Sequence, residues 1–183
     1  MKKETYIAFS FLIWLAPFLL AQNEGAEKVK LPAQAAIVRN QALPPEDEIG
    51  NVIVTYSDGT TDTWTLRGNC AEPKVSARGV VGWELYKLEA NGKTLSRYGS
   101  LYINDHVVLC DHGKVIANLA SAKPFIEAWD FTKDGRQVVI KSRGAHGPAV
   151  IELFSLRSGP PEASVQAYDK NLPEWATAYA DAD

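Results

Sequence analysis

The sequence predicts an all-β domain, built of antiparallel hairpins that stack as a compact two-sheet sandwich or an open barrel, with a short C-terminal helix. Three observations predict it. From Asn51 to Gly159, strand-sized runs rich in Val, Ile, Thr and aromatics are broken by turn signals at a spacing of roughly 8–12 residues. The stretch Asn51–Leu66 places Asp58-Gly59 between two such runs, the strongest short-range hairpin signal. A turn-and-strand device also occurs twice, at Ser76–Gly92 and Lys141–Gly159.

The chain opens Met1-Lys2-Lys3 and is then almost wholly apolar from Tyr6 to Leu20, ending at Ala21. A basic start, an apolar core and a small closing residue read as a secretory signal over residues 1–21. The alternative is an uncleaved anchor, but the run is short for a spanning helix, which needs roughly 20 apolar residues. With the signal removed, 162 residues of net charge −4 remain, enough for one domain with its own core, with no stable membrane span. That places the protein outside the cytoplasm, periplasmic or secreted. An acidic balance without Lys/Arg runs argues against nucleic acid as a partner. In an exported chain, the pair Cys70 and Cys110 is expected to form a disulfide worth about 4 kcal/mol.

Residues 22–49 read as a linker or arm. Ala33–Leu43 suits a helix of a few turns confined by Pro32, Pro44 and Pro45, and this piece is placed to cover an edge strand. Residues 50–168 form the all-β domain. Val52, Val54 and Tyr56 alternate with Ile53 and Thr55, and Thr61, Thr63 and Thr65 alternate on the return. Short strands follow, split at Asn104-Asp105, Asp111-His112-Gly113, Lys133-Asp134-Gly135 and Gly144–Pro148. Residues 169–183 make a short helix, with Asn171 as its cap and Pro173 in its first turn, and a tail. Trp175 and Tyr179, four apart, share one face of it.

Aligned on Arg78-Gly79 and Arg143-Gly144, the two copies place Glu84-Leu85-Tyr86-Lys87-Leu88 against Glu152-Leu153-Phe154-Ser155-Leu156. Their glycines are expected to supply positive-φ turn positions. In each strand the Leu faces away from the Glu and the aromatic. The second copy, with Phe131, Asp134-Gly135-Arg136, Val138, Val139, Ser142, Arg143, Gly147, Glu152, Leu153, Phe154, Leu156 and Gly159, resembles the WD40-like repeats of TolB-type β-propellers. Trp83–Leu88 with Asn91-Gly92 matches the second half of that repeat. The resemblance implies propeller-like hairpins. The copies stand 68 residues apart (Glu84 to Glu152), wider than a blade of roughly 40–50 residues, and 109 residues are too few for a closed ring.

Four metal-type ligands cluster at Asp105-His106 and Asp111-His112, but a strand between them puts His106 and His112 about 20 Å apart. His146 lies in a Gly-flanked loop with no nucleophile elbow near it. No phosphate loop, dinucleotide fingerprint or Ca²⁺ loop occurs, so no cofactor is expected. Among candidate binding residues are Trp83, Trp129, Arg143 and His146, on the argument that aromatics on a β face stack on glycans or anchor a protein. The reading is an exported, non-enzymatic binding or scaffolding module. Its rivals are an extracytoplasmic hydrolase or metal-binding protein using His106, Asp111, His112 and His146, and a self-assembling structural subunit.

Overall fold

A computed structural model describes residues 30–181. The signal over residues 1–21 lies outside the described residues, as do the last two of the tail. Among the described residues thirteen strands form: β1 Pro32–Arg39, β2 Gly50–Tyr56, β3 Thr61–Thr63, β4 Cys70–Val75, β5 Val81–Leu85, β6 Arg97–Tyr98, β7 Leu101–Tyr102, β8 His106–Asp111, β9 Lys114–Ala120, β10 Phe125–Phe131, β11 Gln137–Arg143, β12 Val150–Ser155 and β13 Ala163–Gln166. A 3-10 helix, Glu174–Tyr179, follows. The fold is all-β, in two main antiparallel sheets and a small ribbon.

The first sheet runs β1-β2-β4-β5-β8-β9, with β3 paired to β2; the second is the meander β10-β11-β12-β13; β6 and β7 form the ribbon. The two sheets face each other across one apolar layer. Val80, Val107, Leu109, Ala117 and Leu119 of the first meet Ile126, Trp129, Val138, Ile140 and Phe154 of the second. The alternate residues of the first sheet build a second layer on its other side, from Val52, Val54, Cys70, Val81, Trp83, Val108 and Cys110. Both faces of the central strands are thus buried, which is why Val107–Cys110 reads as an unbroken apolar run.

Gly50–Cys70 is the one register pair between β2 and β4. There the sheet turns back, and β1 comes to lie alongside β4 without pairing to it. Physical chemistry explains the open seam. Between Ala71 and Lys74 the β4 register slips in a bulge, Glu72 holds a left-handed φ of 46°, and Pro73 has no N–H to donate. The β4 edge facing β1 therefore offers no regular ladder, and the barrel stays open.

Residues 32–39 form a strand where a helix was expected. Ala35 and Ile37, two apart, both pack against the second layer, and only a period of two does this. The C-terminal helix is a 3-10 turn rather than an α-helix, and it begins after Pro173, which is extended (φ −63°, ψ 156°) with no side-chain cap. Leu172, Trp175 and Tyr179 do share a face. They lie on the outer side of the second sheet, against Val139, Ile151 and Leu153.

The expected disulfide does not form: Cys70 and Cys110 are free, buried thiols. β5 lies between β4 and β8, which separates the two by about 10 Å across the sheet. Cys70 sits opposite Leu85 and Cys110 opposite Val81, a further ~13 Å along β5. A bridge needs Cα atoms within about 7 Å. Burial raises both thiols, Cys110 to about 11, so neither ionises near neutral pH.

Candidate functional site: the seam between β1 and β4

The seam is a groove of about 440 Å³ lined by Ala35, Ala36, Ile37, Arg39, Glu48, Glu72 and Pro73. Its backbone chemistry follows from register. Val52 donates its N–H to Thr65 Oγ1, and its carbonyl accepts from Trp64 N–H, so Val52 spends both groups on the β3 side. Its cross-strand partner Ile37 therefore forms a non-hydrogen-bonded pair and turns its own N–H and C=O away from β2, into the groove. Ala35, opposite Val54, does the same. No described strand pairs with that edge.

The walls are apolar at Ala35, Ile37 and Pro73, and the rim carries Glu48 and Glu72. Neither carboxylate has a hydrogen-bond or ion-pair partner among the described residues, whereas the Arg39 guanidinium is engaged by the Leu43 and Pro44 carbonyls and Gln41 Oε1. On β5, on the face turned to the second sheet, Glu84 is 4% exposed and accepts a 2.7 Å hydrogen bond from Asn104 Nδ2. Burial lifts its carboxyl to about 7; the Asn104 bond opposes the rise, and the charge of Glu72 adds to it. Tyr86 is pushed up to about 12, by burial first and then by Glu84, Asp47 and Glu72. Sequence reasoning missed this groove. Its one visible signal was Glu72-Pro73 inside a strand-like run, since proline there marks an edge or a bulge.

The residues singled out from sequence do not converge. Trp83 and Trp129 are core residues, 4% and 1% exposed, so neither presents a ring to a glycan or partner. Trp83 lies in the second layer and Trp129 between the sheets, its Nε1 without a partner among the described residues. Arg143 is committed to the fold, with Nε 2.5 Å from Glu127 and Nη2 bidentate to Asp181 at 2.8 and 3.0 Å. His146 is exposed in the Gly144–Pro148 loop.

His106 meets Asp105 at 2.6 Å and His112 meets Asp111 at 2.7 Å, at opposite ends of β8. Among the described residues no three His, Cys, Asp or Glu side chains gather as a metal site would need. Instead, His112 (φ 47°) and Gly113 (φ 73°) are the two central residues of the β8–β9 turn, both left-handed as a type I′ hairpin requires. Glu84 and Glu152, equivalent in the two copies, are both buried on the faces where the sheets meet. Glu152 accepts from Ala122 N–H at 2.7 Å.

Among the described residues no helix is long and apolar enough to cross a membrane. Comparison with protein-family models, curated proteins and solved structures gives no match to this chain.

Proposed function

We propose that the protein is an exported, non-catalytic binding module that engages an extended segment of a partner polypeptide at the β1–β4 seam. One observation carries this reading. The unpaired backbone groups of Ala35 and Ile37 open into a groove with apolar walls; β4 already lies beside this edge, so a partner segment reaches it with side chains and single main-chain hydrogen bonds rather than as a full added strand. The dispersal of the histidines, His106 and His112 each on its adjacent aspartate and His146 exposed in a loop, supports binding over catalysis. A phage-displayed peptide library selected on the full chain tests it. Enriched peptides should perturb the Ala35 and Ile37 amides in nitrogen-15 NMR spectra and lose affinity for an Ala36→Trp variant, whose indole fills the groove. Peptides that map elsewhere on the molecule would overturn the reading.

One feature favours a self-assembling subunit as the second reading. β9 ends the first sheet with Val115 64% and Ile116 37% exposed, and an apolar edge strand is a template for pairing. Light scattering decides: a mass that grows with concentration, and returns to one chain in Val115→Lys, supports assembly through β9.

A further inference from the structure

Resting on the seam as a binding site, we infer that its ligand is a basic side chain, Lys or Arg, presented by the partner segment. The groove matches such a side chain in both of its parts. Ala35, Ile37 and Pro73 offer apolar wall for a methylene stem, which long basic side chains bury while keeping the charged head in polar surroundings. At the mouth stand Glu48 and Glu72, unpartnered among the described residues, and the Ala35 and Ile37 carbonyls face the same space. Carboxylates and carbonyls are acceptors only, and an ammonium or guanidinium is a donor only. Arg39, which lines the same groove, bonds to the Leu43 and Pro44 carbonyls and Gln41 Oε1 rather than to either carboxylate, so its one positive charge against two negative ones leaves the lining net negative.

The bulge fixes half of this arrangement. Glu72 is held in left-handed backbone immediately before Pro73, a conformation that only a restrained segment keeps. A cation seated there reports itself. Glu84 and Tyr86 both feel the negative charge of Glu72, so neutralising that charge lowers the pH at which Glu84 ionises.

The test is a nitrogen-15 NMR titration of the full chain with N-acetyl-lysine methylamide, using N-acetyl-norleucine methylamide as the uncharged control. The lysine compound should shift the Ala35 and Ile37 amides saturably, with the norleucine compound at least about tenfold weaker. Glu72→Gln and Glu48→Gln should each weaken the lysine compound about tenfold while the rest of the spectrum keeps its dispersion. In the same titration, the carbon-13 signal of the Glu84 carboxyl should move its midpoint to lower pH. Equal binding of the two compounds would overturn the cation seat and leave an apolar strand-binding seam standing. If neither compound moves those amides the seat is also overturned, and the peptide selection then decides whether the seam binds at all.

Discussion

Glu84 shows how one residue can be visible in sequence and still misplaced. Its recurrence with Glu152 is plain in the two copies, and so is the alternation that sets Leu85 and Leu153 on the opposite faces. What the pattern does not show is that the face carrying the glutamates is buried as well. In an alternating strand the charged side is read as solvated, yet here a second sheet covers it, and Asn104 meets the carboxylate while also bonding Ile126 N–H and C=O. The consequence is a pH dependence. Glu84 in the folded chain holds its proton to about 7, against an ordinary 4.5. The native state binds more protons than the unfolded one between those values, so stability is full below about 4.5 and falls as pH rises to about 7. Glu84→Gln keeps the acceptor for Asn104 and removes the charge. At pH 8 it should gain stability, by at most about 3 kcal/mol, with little change at pH 4, as read by urea unfolding at the two pH values.

Gly82 carries the same lesson at the level of the strand. With Arg78-Gly79 set against Arg143-Gly144, Gly82 falls opposite Gly147, which suggests a turn glycine, and Gly147 is one, at φ 91°. Gly82 lies inside β5 opposite Leu109, without a positive φ, and is there for a different reason. A Cβ at this position would stand 2.7 Å from Trp129 Cη2 and 2.9 Å from Leu109 Cδ2. The missing side chain lets the indole of one sheet approach the backbone of the other closely. Gly82→Ala should therefore cost about 1–3 kcal/mol through overpacking, measured as a lowered urea midpoint with unchanged slope. The hairpins were legible because their turns are local: Asp58-Gly59, His112-Gly113 and Asp134-Gly135 all join neighbouring strands. β1 was not legible as a strand, because its partner β2 and the bulged β4 beside it decide its conformation from a distance.

For the molecule as a whole, two stacked sheets were foreseeable from strand count and length, whereas the curl of the first sheet and its open seam were not. A single proline and a single left-handed Glu72 decide that closure, and no composition shows it. The C-terminal end is likewise held by distant partners. Asp181 N–H bonds Ala167 C=O, and its carboxylate reaches Lys141 Nζ at 2.6 Å as well as Arg143. Hydrogen bonds from Lys141 and then Arg143 hold this carboxyl below its ordinary 3.8. The stabilisation is thus present above 3.8 and lost as pH falls through the lower folded value. Asp181→Asn should loosen residues 168–181 by about 1 kcal/mol, which converts to chymotrypsin cleavage near Tyr179 about fivefold faster with the remaining chain still resistant. Equal cleavage of variant and parent would show that apolar packing of Leu172, Trp175 and Tyr179 holds the segment alone.

The meander of the second sheet has one more consequence, in the order of events by which the chain folds. β10 to β13 form their ladders with neighbours in sequence, β10 adding one parallel bridge from Phe125 to Asn104, whereas β5 must find β8 across residues 86–105 and β1 finds β4 across a bend. Local pairings close short loops and form fast, and distant ones wait for longer closures. The last third of the described chain is then the template, and its exposed inner face, with Trp129 and Phe154, is the surface on which the earlier two thirds condense. Pulse-labelling hydrogen exchange during refolding should protect the amides of Val139–Lys141 before those of Val81–Leu85; the reverse order would place the nucleus in the first sheet. A chain made from its N-terminus would then hold its first sheet unfinished until its final strands emerge.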